Sequence, residues 1–380
     1  MRVRALPLAR ALARRGHAIS VILPPWDAPA DSGRAWRDAG VAVHCLSLAG
    51  ISRPRASLRL GLRLWRAVLA TQPAIVYCFK PIGYSGLVGW LTRFTPRRPA
   101  LVFDLDDLEG RAGWAGPASR TPAEAWLREG QERWAMRHAD ALTTASDFLR
   151  RAALGTGMPA GRVHLARNGC ASAEPAVGTA AWEAERRLAR QSFGIAPAEP
   201  VILWGARPDE FPSERLAEIM RRVWSARPAA RLLIAGGASA ALEGPATELG
   251  WLVPADWRAA VQAADIGILP MDDSLLQRAR CPAKMPQMLA WGLPLVAHAV
   301  GEAPAYVEDG LTGRLVTAGD DAAFADAVLS LLAAGSAPSD YSLRAAARAP
   351  ALWGWDRQAG LVEGAFAAAE AQRMARLLAG

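Results

Sequence analysis

Three cationic side chains, Arg278, Arg280 and Lys284, fall within seven consecutive residues. The run directly after them, Met285-Pro286-Gln287-Met288-Leu289-Ala290-Trp291-Gly292, reads as a short helix closed by a glycine. Side-chain cations next to the free backbone N–H groups of a helix start can converge on one anion, and a phosphate-bearing ligand is the natural guest. Lys284 is singled out by composition, because the chain uses two lysines, Lys80 and Lys284, against 42 arginines. A compact ammonium kept in such a chain points to a need for a point charge, although a solvated residue at a helix start would carry the same letter. A second group is Asp104-Leu105-Asp106-Asp107-Leu108-Glu109, just after an apolar run. There Asp104 or Asp107 can accept a hydrogen bond from a hydroxyl or take its proton. Loop capping draws on the same residue types.

Alternating elements position these residues. The pattern predicts helices over 3–16, 56–71, 83–93 and 121–138 and from Asp147, with strands over 18–23, 41–46, 74–79, 100–103, 141–144 and 163–166. Residues 170–199 read as a connection carrying a short helix. The alternation then resumes with strands over 200–204, 231–235, 266–269 and 295–297 and helices over 213–226 and 255–263 and at Lys284. Strands alternating with helices specify parallel sheets covered on both faces, so the fold class is α/β with two Rossmann-like domains. The expected divisions are 1–168, a linker over 169–198, a second domain over 199–350, and a terminal helix over 351–380 that packs back on the first domain. Ligands of open parallel sheets bind beyond the carboxyl ends of the strands, which predicts a site in a cleft between the two domains. The chain begins in helical material where a strand and a glycine-rich turn would normally open such a domain, so a missing first strand is expected.

Composition narrows the function classes. Apolar residues make up 52% and charged residues 21%, the profile of a globular protein. Cys45, Cys78, Cys170 and Cys281 are scattered, as are the five histidines, so neither a structural zinc nor another metal site is expected. No run of eighteen apolar residues occurs. Residues 1–168 carry 25 Lys+Arg against 12 Asp+Glu, and the remainder carries 19 against 24, so the first half is poised to face something anionic. Without a nucleic-acid motif, nucleic acid is not expected. An anionic membrane surface is a candidate partner through 56–71, where Arg59, Arg63 and Arg66 share a helical face. A core-facing helix with a solvated arginine edge fits the same spacing.

Several segments in this order resemble a known family: Pro7-Leu8-Ala9-Arg10-Ala11-Leu12-Ala13-Arg14-Arg15-Gly16-His17 before a strand, Lys80-Pro81, Ala166-Arg167-Asn168-Gly169, Trp204-Gly205-Ala206-Arg207, the 264–297 segment and 300–316. The chain resembles the GT-B-fold retaining glycosyltransferases of family 4. That resemblance implies a nucleotide-sugar donor bound by the C-terminal domain, an acceptor bound by the N-terminal domain, retention of configuration and no metal or other cofactor. It implies that Arg207 and Lys284 bind the donor diphosphate, which is chemically sound because cations favour the charge that develops on the leaving group. Arg280, Gln287 and the Gly301-Glu302 turn join them as expected donor contacts, with Thr312-Gly313 shaping the pocket. Lys80, Asn168 and Gly169 are further cleft candidates, Asn-Gly being also a common turn.

The chain departs from the family pattern at two glutamates eight residues apart, where Ala279 and Gln287 stand. A glutamine can still accept from a ribose hydroxyl but lacks the carboxylate charge. Asp209-Glu210-Phe211 stands where a lysine is common. The Asp-x-Asp at 104–106 matches a metal motif of a different transferase fold, which the tandem-domain pattern opposes. The expected activity is hexosyl transfer from a UDP-linked rather than GDP-linked donor to a glycan or lipid-linked acceptor at the cytoplasmic membrane face. A sugar-nucleotide epimerase and a non-catalytic sugar-nucleotide-binding protein are the alternatives.

Overall fold

The computed structural model describes residues 3–49, 56–114, 121–206, 210–237, 242–335 and 337–379. It divides into two compact units, one formed by 1–168, 279–281 and 355–380, the other by 169–278 and 282–354.

The first unit opens with α1 (Ala5–Arg14), whose Leu8, Ala9, Ala11 and Leu12 are buried on one face. The strands β1 (Ser20–Leu23), β2 (Ala35–Asp38) and β3 (Val41–Cys45) form a small sheet in the order β1-β3-β2. Here the structure corrects the all-parallel expectation. β2 runs antiparallel to β3, joined through Ala39 and Gly40, both at positive φ, the backbone that matches a two-residue hairpin to strand twist. Next come α2 (Ala56–Ala70), β4 (Ile75–Phe79), α3 (Gly83–Arg93), β5 (Ala100–Leu105), α4 (Pro122–His138), β6 (Ala141–Thr144), α5 (Asp147–Gly155) and β7 (Val163–Leu165). Strands β4 to β7 make a parallel sheet in sequence order. On α2, Leu60 and Leu64 face the core while Arg59, Arg63 and Arg66 are exposed.

The second unit carries α6 (Ala180–Ser192), β8 (Val201–Ala206), α7 (Ser213–Ala226), β9 (Arg231–Gly236), β10 (Ala246–Gly250), α8 (Pro254–Ala263), β11 (Ile266–Leu269), α9 (Leu275–Ala279), α10 (Lys284–Ala290), β12 (Leu295–His298), α11 (Ala303–Tyr306), β13 (Gly313–Val316), α12 (Asp321–Ala333) and α13 (Asp340–Trp353). Its six strands are all parallel, in the order β10-β9-β8-β11-β12-β13. The chain therefore runs outward from β8 in one direction, then returns to β11 and runs outward in the other. The crevice between β8 and β11 is the switch point where such sheets take ligands. Strands β10 and β13 and helices α12 and α13 were not predicted from the pattern, β10 because its half-buried Ala246–Gly250 lacks a run of apolar residues. The last helix, α14 (Trp355–Ala379), returns to the first unit. There Ala359, Val362, Ala365, Phe366 and Ala369, at three- and four-residue steps, pack with Leu8, Leu12 and Val102.

Buried arginines tie helices to the second sheet. Arg186 of α6 donates to the carbonyls of Gln262 and Ala264 at the end of α8, at 2.5 and 2.6 Å, and to Asp265 at 2.6 Å. Asp265 in turn accepts from Val201 N at the start of β8. Arg186→Ala leaves that carboxylate buried without its main partner. The expected loss of unfolding free energy is about 3–5 kcal/mol, read by denaturant titration. A loss within about 0.5 kcal/mol, the range of an ordinary surface substitution, would show that the pair is dispensable.

Candidate functional site

In the second unit the site is built on the switch point. Lys284 opens α10, and its Nζ donates to Gly205 O at 2.9 Å, near the carboxyl end of β8, whose neighbour on that side is β11. The ammonium also lies 5.7 Å from the centre of the Trp257 ring, a cation–π distance. Gly205 makes this approach possible: a Cβ there would stand 2.8 Å from the Trp257 ring and 3.6 Å from the Lys284 side chain. Any larger residue would push the indole away from the lysine. The Gly301-Glu302 turn is similarly constrained. Gly301 sits at φ 54°, with Gln277 O and Arg278 O only 2.7 and 3.0 Å from where a Cβ would be, and Glu302 is buried beside it at the start of α11. Thr312 is buried and its hydroxyl accepts from Glu308 N at 3.0 Å.

Three expected donor contacts stand differently. Arg207 lies outside the described residues. Gln287 gives up both ends of its carboxamide to one backbone unit, accepting from Ala171 N at 3.1 Å and donating to Ala171 O at 2.9 Å. In this structure it clamps the 169–171 segment. The other two cations of the expected cluster have neighbours of their own. Arg278 is exposed and paired with Asp273, Nε donating at 2.6 Å. Arg280 belongs to the first unit, its guanidinium 5.8 Å from the Trp114 ring.

In the first unit the acidic segment separates into two parts. β5 extends to Leu105, two residues beyond the expected end, so Asp104 is a strand residue with a fully buried side chain. Arg4 grips it with two donors, Nε and Nη2, each at 2.7 Å. Thr143 Oγ1 donates at 2.6 Å and Tyr77 Oη at 3.1 Å. Burial works against the Arg4 charge, but Asp104 outweighs it and holds the guanidinium proton more firmly than usual. Burial and the adjacent Asp104 raise the Tyr77 phenol well above its ordinary range. Fully buried, with three donors on Oδ1 and Arg4 Nε on Oδ2, Asp104 reads as a structural ion pair and not as the base that its place in the sequence had promised. Asn168 completes the network. Its Oδ1 accepts from Arg4 at 3.2 Å and its Nδ2 donates to Cys281 O at 2.6 Å. The adjoining Gly169 is buried.

Beyond the end of β5 the remaining acids gather around Lys80, which comes just after β4 with a left-handed backbone, φ 61°. Lys80 Nζ lies 3.5 Å from Asp106, 3.0 Å from Asp107 and 2.7 Å from Glu109. Burial opposes the ammonium, and the three carboxylates more than compensate, so it stays charged. From α4, the buried Glu132 accepts from Glu109 N and Gly110 N, both at 2.9 Å, and so fixes the loop. Burial lifts the Asp106 carboxyl to about 7 against the pull of Lys80, with Asp104 and Asp107 adding to the rise. Glu132 also titrates at about 7, burial outweighing its two backbone bonds. Among the described residues, Asp106, Asp107 and Glu109 are the one set of acids with metal-ligand proximity. Lys80 Nζ already supplies a positive charge to all three. The sequence pattern points to Asp107 and Lys80 but not to Asp106, Glu109 or Glu132. β5 is buried at every position and so offers no alternation to place Asp104; Leu105, an apolar residue after it, was the available signal that the strand runs on.

Family models match both halves of the chain: a glycosyl transferase 4-like domain over 1–169 and glycosyl transferases group 1 over 199–334. The D-inositol 3-phosphate glycosyltransferase of Mycobacterium tuberculosis is 31% identical over 189 residues, or 45% of this chain, and the match spans only 38% of that relative's length. Two solved structures share the fold. Sucrose-phosphate synthase from Thermosynechococcus elongatus has a TM-score of 0.69 at 20% identity, covering 98% of this chain and 92% of that one. Anabaena HepE, crystallised with UDP and glucose, has a TM-score of 0.68 at 16% identity, covering 95% of each. At such identities the likeness concerns the fold.

The raised Asp106 gives a test with a definite sign. A carboxyl held at about 7 in the fold, against about 4 when unfolded, binds its proton more tightly in the native state. The stability it contributes is full below the unfolded value and is lost as pH rises through about 7. Asp106→Asn is therefore expected to gain on the parent as pH rises, its advantage at pH 8 exceeding that at pH 5 by about 2 kcal/mol. Denaturant titrations at the two pH values measure this. An unchanged difference between them would place the titration elsewhere.

Proposed function

We infer the chemistry of this chain from its family: it belongs to the glycosyl transferases, with a glycosyl transferase 4-like domain followed by a group 1 domain. Our reading is that it transfers a hexose from a nucleoside diphosphate sugar, with UDP preferred to GDP, to a glycan or lipid-linked acceptor with retention of configuration. The observation that carries this reading is Lys284, a half-buried ammonium held at the β8–β11 switch point by Gly205 O. As the bond from the sugar C1 to the phosphate oxygen breaks, its electron pair stays on the diphosphate. A fixed cation there stabilises the transition state more than the ground state. UDP and glucose bound to a protein of the same fold support the choice of donor.

The acceptor hydroxyl forms the new bond to C1, and the 106–109 carboxylates are the groups in the first unit suited to receive it. Asp106, poised near neutrality, is the carboxyl best matched to accept the acceptor's proton, with Asp107 beside it. The Lys80 ammonium among these acids supports a metal-independent reaction. The exposed Arg59, Arg63 and Arg66 edge of α2 fits a cytoplasmic protein resting on an anionic membrane surface, where a lipid-linked acceptor would be presented. No helix among the described residues is long and apolar enough to cross a membrane.

Calorimetric titration with UDP and GDP tests the donor site. UDP is expected to bind more tightly, and Lys284→Ala to weaken it by about tenfold or more, the loss of one charge-assisted phosphate contact. If neither nucleotide binds, or Lys284→Ala binds UDP as the parent does, the donor-site assignment fails. Transfer or hydrolysis of UDP-hexose is expected to survive excess EDTA. Activity lost to EDTA and restored by a divalent cation would replace the metal-independent reading.

A further inference from the structure

The first unit holds a second cationic feature at the opposite end of its four-stranded sheet from the 106–109 carboxylates. A cavity of about 300 Å³ is bordered by Gln72, Thr95, Arg97, Arg98 and Arg373, with Pro73 and Pro99 marking the approaches to β4 and β5. β5 has six residues, so this cavity lies about 20 Å from the acids beyond the other end of that strand.

Charge here is out of balance. Asp140, the buried acid that partners the wall residue Arg98, accepts from it at 2.5 and 2.9 Å and is also paired with Arg376. Leu101 N, at 2.8 Å, is a further donor to that carboxylate, and Arg162 binds the Asp140 backbone carbonyl at 2.6 Å. One carboxylate thus answers several guanidinium groups. The Arg93 charge is disfavoured first by burial and then by Arg98, and the Arg162 charge chiefly by burial, with Arg376 working against the help from Asp140. Neither Arg97 nor Arg373 has a hydrogen bond or ion pair among the described residues, and Arg373 Nε is a buried donor without any partner. Buried N–H donors ordinarily find an acceptor. The backbone adds to the picture: Gln72 and Arg97, both on the cavity wall, hold left-handed conformations, φ 49° and 48°, which non-glycine residues adopt at a cost.

We propose that this cavity is an anion site, separate from the donor and acceptor groups, in which Arg97 and Arg373 bind a phosphate-bearing ligand. The planar guanidinium fork matches phosphate oxygens, and the volume is at the small end for ligand pockets, suited to a phosphate head rather than a whole nucleotide sugar. Such a group can come free from solution or on a lipid. Beside Thr95 stands Phe94, exposed, its ring 5.0 Å from that of the exposed Trp90. Aromatic side chains next to a cationic pocket suit the level of lipid head groups.

The test uses the full chain in a Lys284→Ala background, which weakens uptake of the probe by the second unit. Pyrophosphate is titrated calorimetrically, and sedimentation is measured with phosphatidylglycerol vesicles and with phosphatidylcholine vesicles as the neutral control. The Arg97→Gln/Arg373→Gln double variant is expected to weaken the interaction by about tenfold for each arginine removed. Gln72→Glu, an exposed change that leaves both arginines in place, is expected to weaken it by repulsion and guards against misfolding of the double variant. Loss confined to pyrophosphate identifies a soluble ligand. Loss confined to anionic vesicles, with an Arg59→Gln/Arg63→Gln/Arg66→Gln variant still sedimenting, identifies a lipid head group. If the parent binds neither probe, or the double variant and Gln72→Glu bind as the parent does, the proposal is overturned.

Discussion

The burial of Arg4 against Asp104 is the constraint around which the first unit is organised. Neither charge can be left alone in a site of this kind, since an unpaired buried ion costs several kcal/mol. The pair therefore draws in Tyr77, Thr143 and Asn168 and the carbonyl of Ala166. One interaction so ties the residue before α1 to the middle strands of the sheet and to the end of the unit at Asn168. It also decides which acids stay outside the buried network. Asp104 is consumed by structure, while Asp106, Asp107 and Glu109 lie past the end of β5, where Lys80 and Glu132 hold them. Burial is what chiefly raises Asp106 toward neutrality, and the crowding of acids that needs Lys80 adds to it.

The second unit obeys the same logic with different residues. Arg186 and Asp265 are its buried pair, joining α6 to the sheet where β8 begins. At the other end of β8, the absence of a side chain at Gly205 allows Trp257 and Lys284 to meet over its carbonyl. Structure is secured at one end of the strand and a cation is presented at the other. This division is general for parallel sheets, whose carboxyl ends are where loops can vary while the packed layers stay constant. Gln287 marks a local departure. In place of a carboxylate aimed at a ligand it offers an amide whose two ends suit a single peptide unit, and Ala171 takes both. Ala279, at the other departure, is fully buried in the first unit's core, and its carbonyl accepts from Ser146 at 2.7 Å.

The limits of pattern reading lie in strand ends and in what a side chain touches. The strand that holds Asp104 was expected to stop at 103, and those two missing residues turned a core ion pair into an apparent loop acid. The β2–β3 hairpin escaped because β2 is exposed along most of its length, so it has no alternating apolar face to detect. Arg278 and Arg280 looked equivalent to Lys284 on spacing alone. Asp273, five residues before Arg278, and Trp114, far away in the chain, take their guanidinium groups instead.

What the amino-acid order determined by itself was the α/β class, the two halves built on parallel sheets and the segments in which the candidate site residues fall. Periodicity and composition suffice for these, because they act over a few residues at a time. Which residues in those segments are free to react was decided only in three dimensions. Burial and pairing depend on partners a hundred or more positions apart, as Arg4 is from Asp104 and Gln287 from Ala171. Such partners change a carboxylate from reagent to scaffold without changing the local sequence.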